Sequence, residues 1–517
     1  MSIAAQLPAL QVALPLLAAP LAVLLRHGGL AFAVVTAAAW AAFAVAIGLW
    51  LQVGQLEAGA AISYHIGSWA PPWGIEYRVD RLASFVLLLV SGMAAVVLPY
   101  SRASILREIP RDLHYLYYAM FALCLTGLLG ITITGDAFNI FVFLEISSLS
   151  TYVLIALGRD RRALTAAFQY LIMGSIGATF IVVGIGFLYL MTGTLNLADM
   201  AVRLREVESH RPVLVALAFL TVGISLKLAL FPLHQWLPNA YTYAPSAVTA
   251  FLAATATKVA VYVLIRFYYS VFGDSLVFHD LPLPQIMLWL SLMAMFGASF
   301  VAIFQNNLKR LFAYSSVGQI GYITLGLSFA SVNGLTASVV HLLNHGVAKA
   351  AIFLLIGGIV ARMATAANRD AVPMLRGVPA DAVSPEPTFD RLAGLSKRMP
   401  LTCFGIVIAG LSLIGVPGTA GFVTKWYLII AAMEQGQWWL VGVILLSSLL
   451  AVAYVWRFVE VAYFRAAPEG SEKNEAPLAM LIPAWLLVIA TLWFGLDTSF
   501  TVGTALDAAQ ELVKNGR

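Results

Sequence analysis

Charge is scarce in this chain. Only 11% of its 517 residues are Asp, Glu, Lys or Arg, against about 25% in a soluble globular domain. With 61% hydrophobic residues and a mean hydropathy of +0.89, a soluble globular fold is excluded and a polytopic membrane protein is expected. Cysteine is almost absent. Cys124 and Cys403 both fall in apolar runs, so neither a disulfide framework nor a thiolate metal site is expected. So few cysteines say nothing about the redox compartment. A phosphate loop, a dinucleotide fingerprint, a cysteine cluster and a nucleophile–base constellation are all missing. The chain therefore shows no sign of redox or hydrolytic chemistry of its own, and no cofactor or metal is expected. The first apolar run lacks a basic leading segment and a small-residue cleavage site, and reads as a retained helix. The net charge of +5 suggests orientation in a bilayer rather than nucleic-acid binding, because the basic residues collect in loops at one face.

What the chain has in abundance is long apolar segments. At about 20 residues per crossing, they predict an all-α multi-pass fold of fourteen helices. These run near 7–25, 30–51, 81–99, 113–134, 139–157, 164–191, 213–237, 245–271, 283–304, 310–330, 335–363, 401–432, 438–464 and 478–495. Between the second and third, ISYHIGSWAPPWGIEYRVD alternates and turns at Pro71-Pro72, which predicts a small extramembrane hairpin. Residues 364–400 form the longest polar connection, expected to cross the surface partly as an amphipathic helix. Loops after odd-numbered helices hold seventeen Lys and Arg, among them Arg107, Arg162, Lys309 and Arg398. Loops after even-numbered helices hold Arg78, Arg203, Arg205 and Arg211. By the positive-inside rule the odd-numbered loops face the cytoplasm and both termini face outward.

Against this apolar background stand Lys227, Lys258, Lys349 and Lys425, with Glu145 in NIFVFLEISSL. A lysine at mid-bilayer costs roughly 2.5–3.5 kcal/mol on insertion scales, and buried ionisable groups there mark ion or proton pathways. Two of the helices are also interrupted. Helix 7 has Pro232 five residues after Lys227, and helix 12 has Pro417-Gly418 shortly before Lys425. Proline frees a carbonyl, tolerated at membrane depth only where protein or water satisfies it. Paired broken helices mark transporters built from repeats. The two breaks fall five helices apart, so helices 4–8 and 9–13 are expected to be inverted five-helix units; packing kinks are the plainer alternative.

The segments GDAFNIFVFLEISSLSTYVLIAL, LKLALFPLHQWLPNAYTYAPSAVTAFLAATATKVAVYVL and LKRLFAYSSVGQIGYITLG bring a family into view, extended by HLLNHGVAKAAIFLLIGG and GVPGTAGFVTKW. Over roughly residues 75–465 the chain resembles the antiporter-like subunits of respiratory complex I and Mrp-type cation/proton antiporters. The D subunit of Mrp antiporters is the member it resembles most. That family implies fourteen helices in inverted repeats. It also implies partner subunits in a bilayer-embedded complex, and exchange of protons for Na+ or K+. The chain ends soon after helix 14, unlike the family's largest members. Lys425 matters, because one complex I subunit carries glutamate at the matching place. Gln319 departs from the histidine many relatives have, which puts a relay through helix 10 in doubt. The resemblance divides the chain into 1–112, a first repeat 113–271, a second repeat 283–464 and a last helix with tail, 478–517. Two rivals stay open: a subunit of complex I or a membrane-bound hydrogenase, and a membrane subunit of an inorganic-carbon uptake complex.

Glu145 and Lys227 match the family's ion pair between helices 5 and 7. Burial disfavours an ammonium and a nearby carboxylate restores it, so a pair that opens and closes switches proton affinity; a static structural pair is the alternative. Lys258 is the expected next acceptor and Lys425 the exit. An amine can cycle between charged and neutral forms where a guanidinium cannot. Their alternatives are interhelical hydrogen bonding or snorkelling. His341, His345 and Lys349 recur at four-residue spacing and share one stripe of helix 11. That histidine pair suits a proton wire or plain helix–helix hydrogen bonding better than a metal, since the HExxH glutamate is missing. His234 is a further candidate beside the break in helix 7, and Tyr314 and Ser315 could hold relay waters. Asp136 and Asp80 read as N-caps, with an entrance-funnel role the alternative for Asp80, Arg266 as snorkelling, and Arg457 and Glu460 as an i,i+3 pair.

Overall fold

A backbone in hydrocarbon must satisfy its polar groups within the chain, and a helix does so segment by segment. The computed structural model describes residues 3–273, 275–370, 386–467 and 473–515. Its first part holds α1 (Leu7–Leu25), α2 (Gly28–Val53), β1 (Ile62–His65), β2 (Glu76–Val79), α3 (Arg81–Glu108) and α4 (His114–Ile133). Then come α5 (Ala137–Ala156), α6 (Arg161–Thr192), α7 (Leu197–Leu204), α8 (His210–Leu228), α9 (Trp236–Tyr243), α10 (Ser246–Ala254) and α11 (Ala256–Ile265). Next are α12 (Leu283–Met293), α13 (Ser299–Ile303), α14 (Leu308–Ser328), α15 (Val332–Asp370), α16 (Leu395–Arg398) and α17 (Pro400–Ile414). The chain finishes with α18 (Ala420–Glu434), α19 (Trp438–Val459), α20 (Leu478–Leu496) and α21 (Ser499–Asn515).

Among the described residues, twelve helices are long and apolar enough to cross a membrane. The two further crossings expected from the sequence are α14 and the α17–α18 pair. Ser315, Ser316, Gln319 and Thr324 lower the hydropathy of α14, and the break makes α17 and α18 short. The hairpin forms as expected, with β1 antiparallel to β2 from Ile62↔Val79 to His65↔Glu76 and Pro71-Pro72 in the connection. Asp80 and Asp136 cap α3 and α5 through Ala83 N and Asn139 N. The tail after helix 14 is helical, as α21. Of the expected amphipathic crossing within 364–400, residues 371–385 lie outside the described residues.

The two ends of the bundle differ. At the basic end, Arg159 N donates to the Glu108 carbonyl and Lys309 Nζ to the Ala244 carbonyl. Leu308 N there donates to Pro387 and Asn474 N to Arg398. At the hairpin end, Gly135 N donates to Glu76, and Gly59 N to Glu511 on α21. Loops after odd-numbered helices thus gather at one end.

At the centre, α15 packs on α3, α10, α14, α17, α18, α20 and α21. It carries His341, His345 and Lys349 into the most protected part of the molecule.

Two sequence readings are corrected. Arg266 does not snorkel; it is buried and pairs with Asp80. Arg457 does not pair with Glu460. It donates to the Ile303 carbonyl and to Asn306, while Glu460 pairs with Arg465 at 3.0 Å. Each has a partner elsewhere: Arg457 reaches the end of α13 and Glu460 the Arg465 that follows its own π-turn (Glu460–Phe464).

Candidate functional site

Close helix packing places the first pair. A Cβ on Gly223 of α8 would lie 2.7 Å from the Gly177 carbonyl and 2.9 Å from Ile181 N on α6. Only glycine lets the two backbones approach this far, the small-residue crossing common in membranes. One turn further along α8, Lys227 reaches α5. Its Nζ donates to Ser148 Oγ at 2.8 Å and lies 3.6 Å from Glu145 Oε1. That oxygen accepts no hydrogen bond, and the Glu145 side chain is 29% exposed on the flank of the bundle against 4% for Lys227.

Immediately past Lys227 the helix breaks. Ala229 takes a left-handed conformation (φ 59°) and Pro232 follows. The carbonyls left over are collected by Trp236 Nε1, which donates to Leu226 at 2.9 Å, and by Leu230 N, which donates to Ser225. His234 lies in this turn, partly exposed, stacked on Phe231 at 5.1 Å and edge-on to Tyr314 at 6.4 Å.

A third break was not foreseen. Helix 8 divides at Thr255 (φ −123°, ψ −56°) into α10 and α11. Lys258 Nζ donates back to the Ala253 carbonyl at this break, with Thr257 Oγ1 at 3.4 Å. Lys425 does the same at the break between α17 and α18. Its Nζ donates to the Ile414 carbonyl at 2.5 Å and to Ser448 Oγ at 2.7 Å, with the Leu413 carbonyl at 3.4 Å and the Tyr322 ring centroid at 4.7 Å. Cations favour helix C-termini, where carbonyls are unpaired. Lys349 instead donates to the Phe312 carbonyl (2.8 Å) and to Ser315 on α14.

The histidines join these lysines. His341 and His345 stack at 5.3 Å, with planes 10° apart. His341 Nδ1 meets Thr424 Oγ1 at 3.0 Å, and its Nε2 meets Gln319 Oε1 at 3.0 Å. Gln319 Nε2 in turn donates to the Leu413 carbonyl, the group Lys425 also approaches. Gln319 therefore bridges His341 and the Leu413 carbonyl. A carbonyl can only accept, so the amide nitrogen faces Leu413, the amide oxygen faces His341, and His341 carries its proton on Nε2. Both ring nitrogens of His345 are buried without a hydrogen-bond partner, and His345 lies within electrostatic reach of Lys258 and Lys349.

Outside the spanning segments, burial pushes the Asp80 carboxyl up, but the Arg266 guanidinium beside it outweighs this and holds it below the usual carboxylate range. Among the described residues no group of three or more His, Cys, Asp or Glu could hold a metal ion. What the arrangement offers is buried titratable groups, with Lys258 and Lys425 stationed at helix breaks.

Residues 134–451 match the family model described as NADH:quinone oxidoreductase/Mrp antiporter, TM. The chain is 38% identical to NADH-quinone oxidoreductase subunit N of Desulforudis audaxviator (strain MP104C), over 98% of each chain. It is 28% identical to the Na(+)/H(+) antiporter D subunit of Bacillus subtilis (strain 168), over 98% of this chain and 97% of the relative. Two solved structures superpose with TM-scores of 0.86. One is a chain of the archaeal membrane-bound sulfane sulfur reductase, at 29% identity with 99% of each chain covered. The other belongs to the Mrp complex from Dietzia sp. DQ12-45-1b, at 25% identity with 99% of this chain and 98% of that one covered. With its helix breaks and buried lysines in place, the chain belongs to the NADH:quinone oxidoreductase/Mrp antiporter transmembrane family.

Proposed function

We propose that this chain is the proton-translocating membrane subunit of a multisubunit monovalent cation/proton antiporter in the cell (inner) membrane, exchanging Na+ or K+ for protons beside partner subunits. One observation carries the reading: Lys258 and Lys425 each donate to carbonyls freed by a broken helix. From Lys425 polar contacts then run through the Leu413 carbonyl and Gln319 to His341, whose ring stacks on His345. An ammonium at such a break can release its proton, which a guanidinium cannot.

Glu145 acts here as a gate. When its carboxylate closes on Lys227 the proton is held; when they part it is free to move toward Lys258. A cavity of about 20 Å³ lies between Lys227, Ser148 and Thr151 on one side and Ala256, Val259 and Ala260 of α11 on the other, room for about one water. The line then runs through Lys258, Lys349, His345 and His341 to Lys425, with His234 at an inlet near the first break. In this reading 113–271 and 283–464 are the inverted repeats, flanked by 1–112 and 478–517, with the linker 364–400 on the cytoplasmic side. The basic end faces the cytoplasm and both termini face outward.

Glu145→Ala or Lys227→Ala is expected to abolish proton-coupled cation transport in vesicles while the complex still assembles. Near-normal antiport in either variant would remove the mechanism. A second reading is favoured by the 38% identity to an NADH-quinone oxidoreductase subunit N: the same proton module driven by redox chemistry in partner chains. Purifying the intact complex separates the two, since iron–sulfur and quinone-site subunits mark the redox assembly and small hydrophobic subunits the antiporter.

A further inference from the structure

Lys258, Tyr262 and Arg266 recur every four residues along α11 and the turn beyond it, on one face. At 1.5 Å per residue, Arg266 stands roughly 12 Å from Lys258, toward the hairpin end. There it lines a cavity of about 160 Å³ with Arg78, Asp80, Thr134, Tyr269 and Glu511. The guanidinium is fixed by three hydrogen bonds to two residues. It donates to both carboxylate oxygens of Asp80, at 2.6 Å for Nη1, and its Nε donates to the Tyr262 hydroxyl at 2.9 Å. Tyr262 commits its own proton to the Thr132 carbonyl at 2.7 Å.

We propose that Arg266 is a proton-inert seal, closing the hairpin end of the buried lysine line. The proposal rests on the proton-conducting reading above. A guanidinium stays charged throughout the accessible pH range and hands on no proton. Bonded to the ionised Asp80 carboxylate it carries no excess charge, so what it places at this point is a bulky group without a transferable proton. Asp80 holds that group in place at the floor of the cavity. Tyr262, the only member of the stripe between Arg266 and Lys258, has its hydroxyl proton turned away toward Thr132. A proton entering the cavity therefore meets no side chain with a free proton to pass on between Asp80 and Lys258.

The test is passive leak. Vesicles reconstituted with the purified complex receive an imposed pH gradient, and its decay is followed with an entrapped pH-sensitive dye. Arg266→Gln is expected to speed the decay at least five-fold over wild type, and Arg266→Gln combined with Lys258→Ala to return it to the wild-type rate. Should Arg266→Gln fail to assemble, Arg266→Lys, whose amine can shed a proton, is judged by the same criterion. A tight Arg266 variant overturns the seal, as does a leak that survives removal of Lys258. Antiport by the wild-type complex is measured in the same vesicles. If wild type exchanges protons for cations and the Arg266 variant is tight, the seal alone falls. If Lys227→Ala leaves exchange intact, it is the underlying reading that falls.

Discussion

Gly415 and Lys425 are made for each other sterically: a Cβ at position 415 would sit 2.6 Å from Lys425 Cδ. Gly415 also adopts φ 87°, a left-handed conformation that ends α17 and turns its last carbonyls toward the lysine. Gly415→Ala is therefore expected to be disruptive in two ways. The backbone strain costs about 1–3 kcal/mol, and the methyl displaces the lysine from the carbonyls of Leu413 and Ile414. Proton-coupled transport should fall at least ten-fold with the complex still assembled, and the measurement is cation-dependent proton flux in vesicles. Wild-type flux would show that the lysine's seat at the break is dispensable.

Gln319 fixes one tautomer of His341, by accepting from its Nε2 while donating to Leu413. The basic Nδ1 then faces Thr424, and that is where a proton must arrive. Gln319→Leu frees the ring to adopt either tautomer and leaves a buried imidazole nitrogen unpartnered, which costs about 1–3 kcal/mol. Flux is expected to drop several-fold, and Thr424→Val to depress it as well, since both partners orient one ring. If Gln319→Leu transports normally, the relay passes elsewhere.

The parts legible in the sequence were those written in local chemistry. Lysines inside apolar runs, prolines inside helices and an alternating stretch around Pro71-Pro72 announce themselves without a partner. The break at Thr255 does not, because FLAATATKVAVYVL holds neither proline nor glycine. Its cause lies on another helix: α15 crosses so closely at Gly346 that a Cβ there would lie 2.9 Å from the Ala254 carbonyl. Arg266 was misread for a similar reason. Its carboxylate partner is 186 residues away, and a charge near a helix end looks the same whether it reaches for water or for Asp80. The doubt over Gln319 came from its departure from the histidine many relatives have. The fold uses it for its fixed donor and acceptor.

Replacing a lysine by arginine separates a relay from a structural clamp. Arg keeps the charge and donates to carbonyls at least as well, but does not release a proton at accessible pH. At Lys258, which donates to the Ala253 carbonyl, the Arg variant is expected to assemble and to transport no better than Lys258→Ala. Flux at more than half the wild-type rate in Lys258→Arg would mean that only the charge is needed there. Side-by-side vesicle assays at matched protein content decide it.

The crossing of α6 and α8 makes a prediction about stability and function together. At Gly223 an added Cβ meets backbone, the Gly177 carbonyl and Ile181 N, so no side-chain rotation can relieve the contact. Gly223→Val must push the helices apart, and overpacking of this kind costs about 1–3 kcal/mol. The detergent-solubilised complex is expected to lose several degrees in Tm. Lys227 lies one turn further along the same helix and holds its Ser148 contact at 2.8 Å and its Glu145 contact at 3.6 Å. Its geometry therefore depends on that approach, and flux should fall more than the stability loss alone explains. Thermal unfolding and flux measured on the same preparation test this. A variant with lowered Tm but unchanged flux would show that the Glu145–Lys227 spacing tolerates displacement, and the gate assigned to it would need a looser geometry.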